Sequence, residues 1–194
     1  MKSSLLLLFP FLAFTQSFSD SRDHQQYEYV QLGSLYWMTE NLRYNAEGST
    51  CLSDCQTIRF FDYRYLKNVC PPGWRLPSVD EWDSFTNSFS EAQKVRMLED
   101  NKKLYRVDFL DKFDIFESNI LNIKAYGRIE GGRLERANSI DYWAFNPATD
   151  DRFHMHLTPF SITGHAHKHH LKTNKPDEFR LFPIRCVCDN LPDF

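Results

Sequence analysis

The fold depends on the stretch Cys70-Pro71-Pro72-Gly73-Trp74-Arg75-Leu76-Pro77-Ser78-Val79-Asp80-Glu81-Trp82. Its first part predicts an irregular turn, because proline fixes φ and Gly73 accepts a positive φ. Its second part has the spacing of a capping box, in which the side chains of Ser78 and Glu81 each bond the backbone N–H of the other residue. The stretch therefore predicts a turn followed by a helix that begins at Val79.

The helix predicted from Val79 has an apolar face. Trp82, Phe85 and Phe89 recur at spacings of three and four residues, which is typical of a helix side that packs on a core. Trp74 and Trp82 flank the turn, and we expect their rings to anchor it in the core. A second capping box at 90–93, followed by an apolar stripe, predicts a second helix that ends near residue 99.

Runs of alternating apolar residues predict a sheet beside these helices. Residues 27–32 and 35–37 are predicted as two strands joined by a turn at Gly33 and Ser34. The other predicted strands cover 122–129, 152–157, its hairpin partner 161–171, and a closing strand 179–188 that has Phe182, Ile184, Cys186 and Cys188 on one face. We therefore predict the α+β class, with two helices, a twisted and mostly antiparallel sheet, and long loops.

The first residues have the character of an export signal. Lys2 precedes an apolar run at 5–14, and small or polar residues follow it. This pattern predicts a signal peptide over 1–19, cleaved between Thr15 and Asp20. The run is too short for a transmembrane anchor, since a spanning helix needs about 20 apolar residues. We expect a disordered polar lead-in at 20–26 and then one domain at 27–190.

Composition limits the class of partner. The chain has 194 residues, a net charge of -3 at pH 7 and 15% aromatic residues. The length is sufficient for one domain with its own core, and the aromatic content suits loops held by large side chains. A nucleic-acid partner usually requires a basic surface, so the near balance of charge argues against one.

Three motifs carry a family resemblance. They are Trp37-Met38-Thr39-Glu40-Asn41-Leu42, the stretch 70–77 with Glu81-Trp82, and Ile184-Arg185-Cys186-Val187. In this order they resemble the W-M-x-E-N-L, C-P-x-G-W-x-L-P-x-x-x-E-W and V-R-C-V motifs of the Fibrobacter succinogenes major paralogous domain family. The resemblance spans about residues 27 to 189. It implies an exported bacterial protein, secreted or in the periplasm or at the cell surface, with a fold similar to C-type lectins and formylglycine-generating enzymes. It implies no reaction, and a fold alone cannot supply one.

Five cysteines in an exported protein favour disulfide bonds. We expect Cys70 to pair with Cys186, which would tie the turn to the closing strand, and Cys51 to pair with Cys55 in a local bridge. Cys188 is left over and competes for Cys70, because it shares the strand face of Cys186. Free buried thiols are the remaining alternative. No cysteine lies beside a pattern that would lower its pKa or supply a base, so we expect no catalytic cysteine.

A cluster of histidines is the most distinctive chemical feature of the sequence. His154 and His156 lie in one predicted strand, and its hairpin partner carries His165, His167 and His169. Residues two apart share a strand face, so the hairpin could bring three or four imidazoles together, as Zn²⁺ or Cu²⁺ requires. The alternative is a solvated strand face that carries histidines by chance. Because the cluster contains no acidic or cysteine ligand, we expect this alternative, with no metal and no other cofactor.

Two functional hypotheses follow. The first is a binding or adhesion module that recognises a glycan or a protein without catalysis, and it is favoured by the export signal, the lectin-like resemblance and the aromatic content. The second is an enzyme, either a metal-dependent hydrolase at the histidines of residues 154–170 or a relative of formylglycine-generating enzymes. The latter would need a reactive cysteine pair, for which Cys186 and Cys188, or Cys51 and Cys55, are the candidates. We expect the first.

Overall fold

The computed structural model describes residues 16–52, 55–87, 123, 126–136, 139–146, 148–149, 151–158, 161–169 and 180–192, with the backbone alone at 86–87, 156–158 and 161–169. Its helices are a 3₁₀ turn at Tyr63–Tyr65 and α1 at Val79–Asn87. Its strands, in chain order, are β1 Gln16–Ser19, β2 Gln26–Leu32, β3 Leu35–Met38, β4 Ser49–Thr50, β5 Phe60–Asp62, β6 Arg128–Glu130, β7 Arg133–Glu135, β8 Ile140–Asn146, β9 Asp151–Thr158, β10 Ser161–His169, β11 Arg180–Phe182 and β12 Val187–Cys188.

The strands form three antiparallel sheets. The first sheet has the order β1-β2-β3-β12, the second β10-β9-β8 and the third β4-β5-β11-β6-β7. The predicted hairpin around Gly33 is confirmed as β2 and β3, and Gly33 has a φ of 65° that favours glycine. The predicted histidine hairpin is confirmed as β9 and β10. Of the predicted strand at 122–129, Arg128 and Ile129 lie in β6, whereas the described residues 123, 126 and 127 lie outside any strand. A turn at Gly131 and Gly132 joins β6 to β7.

Helix α1 begins where the capping box predicts. The backbone N–H of Ser78 donates to Glu81 Oε2 at 2.7 Å, and the backbone N–H of Glu81 donates to Ser78 Oγ at 3.1 Å. The predicted second helix lies outside the described residues. The described part is therefore an α+β arrangement of one short helix with antiparallel sheets, and none of its helices has the length and apolar character to cross a membrane.

Two hydrophobic cores lie on opposite faces of the strands. The first core contains Trp74, Trp143 and Phe182, whereas the second contains Trp82 and Met155. Successive residues of β8 alternate between the two cores, because neighbouring side chains of a strand point to opposite faces. Both tryptophans that flank the turn are buried as predicted, with exposed fractions of 6% for Trp74 and 0% for Trp82.

The closing segment differs from the prediction of one strand at 179–188. It forms two short strands, β11 in the third sheet and β12 in the first sheet. Pro183 lies between them, and proline has no N–H to donate to a strand ladder. The predicted face is nevertheless retained, because Phe182, Ile184, Cys186 and Cys188 all lie in the first core. The closing segment therefore passes from the third sheet to the first while these four side chains remain in the first core.

The amino-terminal segment also differs from the prediction. Residues 16–19 form β1, and residues 20–25 form a turn rather than a disordered lead-in. Asp20 is buried and pairs with Arg22 at 2.7 Å, and Arg22 in turn donates to the Val69 carbonyl oxygen at 2.8 Å. The polar composition suggested disorder because these polar groups find partners only in the folded chain.

The cysteines pair as predicted. Cys70 is bonded to Cys186 with the Cα atoms 6.0 Å apart, and Cys51 is bonded to Cys55. Cys188 is a buried free thiol. The long-range bond joins the turn before α1 to the segment that precedes β12, at a sequence separation of 116 residues.

Candidate functional site

The turn of residues 71–74 is fixed to the first sheet from several sides. The Trp74 N–H donates to the Pro71 carbonyl oxygen at 2.8 Å. Arg75 and Val187 exchange two backbone hydrogen bonds, each of 2.8 Å. Gly73 has a φ of 82°, and a Cβ atom at this position would approach Pro192 Cγ to 2.7 Å. Glycine is therefore required here both by conformation and by space.

Trp74 connects the turn with the first core. Its ring stacks on Phe18 at 4.6 Å and meets Tyr29 edge-on at 5.8 Å. Its indole Nε1 is buried and has no hydrogen-bond partner among the described residues. Such buried donors are rare in folded proteins, because the lost hydration is not replaced. Trp74 therefore brings an unused N–H donor to this region.

A groove of about 240 Å³ lies beside the turn, and we call it the turn groove. Its apolar lining comes from Leu66, Val69, Trp74, Leu76 and Phe145, together with the bridged Cys70. The Phe145 N–H donates to the Pro77 carbonyl oxygen at 2.9 Å, so β8 is attached directly to the end of the turn. The walls of the groove therefore belong to elements that backbone hydrogen bonds and a disulfide hold together.

The polar lining of the turn groove is cationic. It consists of Lys67, Arg75 and Arg152, with the amide of Asn68. Arg152 lies opposite Phe145 in the register of β8 and β9. Among the described residues that line the groove, none is an aspartate or a glutamate. The lining thus combines apolar walls with positive charge.

Arg75 is held in place by two carboxylates. Its Nη2 atom lies 2.7 Å from Glu81 Oε1 and 2.9 Å from Asp189 Oδ1. These hydrogen bonds raise the pKa of the Arg75 guanidinium. Burial would raise the pKa of Glu81, but the hydrogen bonds from Arg75 and from the Ser78 N–H outweigh it and the pKa is lowered. The hydrogen bond from Arg75 also lowers the pKa of Asp189. All three groups are therefore ionised at neutral pH.

A second cavity, of about 460 Å³, lies on the far side of this ion pair. Its lining includes Ser34, Trp37 and Phe85, with the two carboxylates of Glu81 and Asp189. Because both carboxylates already bind Arg75, the polar groups of this cavity are largely neutralised. The turn groove, whose described lining contains cations and no carboxylate, is the stronger candidate for a site.

The cysteines are not arranged as a reactive pair. Cys186 and Cys70 are bonded to one another, as are Cys51 and Cys55. Burial, with a smaller contribution from the charge of Asp189, raises the pKa of the Cys188 thiol to about 11. A buried thiol with a raised pKa is a poor nucleophile at neutral pH, because the thiolate is the reactive form.

The five candidate metal-ligating histidines lie in the second sheet. Backbone register places His167 opposite His154 and His165 opposite His156, and His169 lies opposite Arg152. The His154 ring is buried and stacks on Phe182 at 4.4 Å. The side chains of the other four lie outside the described set, and within that set no three metal-ligating side chains come together.

Residues of the first and third sequence motifs hold the fold together. Arg185 is buried and donates from Nη2 to Asn41 Oδ1 at 2.9 Å, and the Tyr142 hydroxyl donates to the same oxygen at 3.1 Å. Its Nη1 donates to the Met38 carbonyl oxygen at 3.2 Å. Two of the sequence motifs thus meet in one buried network. The motifs therefore locate fold-determining contacts, whereas the groove residues lie mostly outside them.

Sequence reasoning missed most residues of the turn groove, including two of its three cations. Lys67, Phe145 and Arg152 come from a loop, from β8 and from β9, so no local spacing connects them. The only available signal was the rigid turn at Trp74, next to which the groove lies. Comparison of the chain with protein-family models, with curated proteins and with solved structures gives no match.

Proposed function

We propose that this protein is an exported binding module that holds an acidic glycan in the turn groove and carries out no reaction. The observation that carries the proposal is the lining of the groove, in which Lys67 and Arg152 lie beside the carboxylate-bound Arg75 and no described residue is acidic. Arginine and lysine bind carboxylates by charge-assisted hydrogen bonds, so a uronic-acid carboxylate is the group that this lining favours.

The apolar walls support a saccharide rather than a bare anion. Binding sites for small ligands are mostly apolar, with a few polar groups that fix orientation. Trp74 and Phe145 supply aromatic surface to these walls. The C-type-lectin-like fold implied by the sequence motifs belongs to this proposal and agrees with a saccharide ligand.

Export is the second part of the proposal. Two disulfide bonds are compatible with an oxidising compartment, and the apolar run at 5–14 has the form of a signal peptide. We infer the periplasm, the cell surface or the medium as the location. The buried, protonated state of Cys188 and the bridging of the other four cysteines support a role without cysteine chemistry.

A glycan array tests the proposal. We expect the purified chain to bind oligosaccharides that contain uronic acids and not their neutral counterparts. Lys67→Gln and Arg152→Gln should each weaken binding at least several-fold, and Lys67→Gln should do so with little change in Tm because Lys67 is exposed. The matched control is Arg133→Gln, which removes an exposed cation of β7 that does not line the groove. Equal binding of neutral and acidic glycans, or preferential binding of acidic peptides, would contradict the proposal.

A further inference from the structure

The register of the second sheet places an aspartate of β8 beside histidines of β9 and β10, although these residues are distant in the sequence. β9 pairs with β10 so that His156 lies opposite His165, and β9 pairs with β8 so that His156 also lies opposite Asp141. One row across three strands therefore holds Asp141, His156 and His165. Two positions along the strands, another row holds Trp143, His154 and His167.

Described contacts determine which face these rows occupy. Trp143 lies edge-on to Phe182 at 4.9 Å, and His154 stacks on the same ring. Tyr142 and Met155 belong instead to the second core, on the opposite face. Because strand positions alternate between faces, positions 156, 165 and 167 fall on the face of Trp143 and His154.

The spacing of these positions suits metal binding. Directly opposite residues of an antiparallel pair have Cβ atoms about 4.5–5.5 Å apart, and diagonal neighbours about 7–8 Å apart, both within reach of long side chains. The register irregularity of β10 lies between Ser161 and His165, so the pairing from His165 to His169 is regular. Regular pairing matters, since a slip of one residue would move every position to the other face.

We propose that His156, His165 and His167 form a binding site for a divalent ion of the zinc type. Three imidazoles are a known protein ligand set for Zn²⁺, which leaves a fourth position for water or another ligand. His154 is not included, because its ring is 4% exposed and packed on Phe182. This proposal does not depend on the glycan proposal.

Asp141 gives the site its acidic residue. It is buried, with an exposed fraction of 1%, and accepts a hydrogen bond from Ser139 Oγ at 2.5 Å. Its register position is opposite His156. Histidine ligands usually donate their second N–H to a carboxylate or carbonyl, and loss of that partner typically weakens metal affinity about 10- to 100-fold. We assign Asp141 this positioning role.

Calorimetric titration of the untagged, EDTA-treated full chain with Zn²⁺ tests the site. We expect one ion per chain, and a loss of this binding in the His156→Gln, His165→Gln, His167→Gln triple variant. His24→Asn is the control, because His24 lies in the amino-terminal turn with a φ of 60°, which asparagine accepts. Asp141→Asn should raise the Kd about 10- to 100-fold. Absence of stoichiometric binding, or binding equal in parent and triple variant, would overturn the proposal.

A second measurement needs no variant and so is independent of any folding defect. Histidine modification by diethyl pyrocarbonate is followed by mass spectrometry on the unchanged chain with and without Zn²⁺. We expect Zn²⁺ to protect His156, His165 and His167 and to leave His24 as reactive as before. Equal modification of the three residues in both conditions refutes the assignment even if the chain binds zinc elsewhere.

Discussion

The ring of Phe18 stacks on the ring of Trp74, with centroids 4.6 Å apart and an angle of 14° between the planes. Phe18 lies in β1, and Trp74 belongs to the turn that leads into α1. The contact buries Phe18 in the first core beside Tyr27. An edge strand near the amino terminus is therefore part of the structure that supports the turn groove.

Replacement of Phe18 should destabilise the whole domain. Phe18→Ala removes a buried ring, a change that typically lowers the free energy of unfolding by about 3–5 kcal/mol. Ser17→Ala is the control, since Ser17 is exposed on the same strand and should change stability by less than about 0.5 kcal/mol. Urea unfolding followed by tryptophan fluorescence measures both variants. Equal stability of the two would show that β1 does not contribute to the core.

The same contact narrows the expected site of amino-terminal processing. The sequence predicts cleavage between Thr15 and Asp20, but any cleavage after Phe18 would remove the ring that packs on Trp74. If the chain is cleaved as a signal peptide predicts, we therefore expect amino-terminal sequencing to find that the mature protein begins no later than Gln16, whose side chain accepts a hydrogen bond from the Tyr29 hydroxyl at 2.8 Å. A mature chain that begins at Asp20 and has the same Tm as one that retains β1 would contradict this.

Local patterns predicted the helix and hairpins because their causes lie within a few residues. The capping box of Ser78 and Glu81 and the glycine turn at Gly33 are of this kind. Other features depend on partners from distant segments. These are the passage of the chain from one sheet to another at Pro183 and the ordered turn at 20–25, where Arg22 bonds to Val69. The turn groove also depends on contacts between distant segments. Its cations are brought together only by the pairing of β8 with β9 and by the fixed turn.

Truncation of Trp82 tests the second core. The Trp82 ring is 0% exposed and lies between Trp37 at 5.1 Å and Tyr142 at 5.3 Å. Trp82→Ala should therefore lower the free energy of unfolding by about 3–5 kcal/mol. Its Nε1 has no hydrogen-bond partner among the described residues, so Trp82→Phe changes only the volume of the side chain. This substitution should lower the free energy of unfolding by less than about 2 kcal/mol. Chemical denaturation distinguishes the two. An alanine variant with unchanged stability would place Trp82 outside the core.

The ion pairs of Arg75 predict a dependence of stability on pH. The pKa values of Glu81 and Asp189 are lowered in the folded chain, so their stabilising effect is fully present above the unfolded values of about 4.3 and 3.9. It is lost as the pH falls through the lower folded values. Arg75→Gln should lower the free energy of unfolding by roughly 1 kcal/mol at pH 7, a modest amount because the ion-paired side chains are partly exposed. It should also remove the part of the acid-induced loss of stability that comes from these two carboxylates.

Urea unfolding between pH 7 and pH 3, within roughly the range where carboxylates titrate, measures this difference. Arg133→Gln serves as the control, because it removes an exposed arginine while the contacts of Glu81 and Asp189 remain. Parent and control should lose stability in parallel at low pH, whereas Arg75→Gln should lose less. The same acid-induced loss in all three proteins would mean that Arg75 does not determine the pKa values of these two carboxylates.

The choice of Cys186 over Cys188 as the partner of Cys70 can be tested chemically. Cys188 is 0% exposed and its thiol pKa is raised to about 11, so it should resist iodoacetamide at pH 8 in the folded chain and react after unfolding. Non-reducing peptide mapping should recover the Cys70–Cys186 pair. Replacement of Cys70 and Cys186 by serine should lower the free energy of unfolding by about 4 kcal/mol, since a bridge over so long a loop restricts the unfolded chain strongly. Cys188→Ala should leave this bridge intact.

Recovery of a Cys70–Cys188 peptide from the parent chain would contradict the pairing, because it would show that Cys188 and not Cys186 is bonded to Cys70.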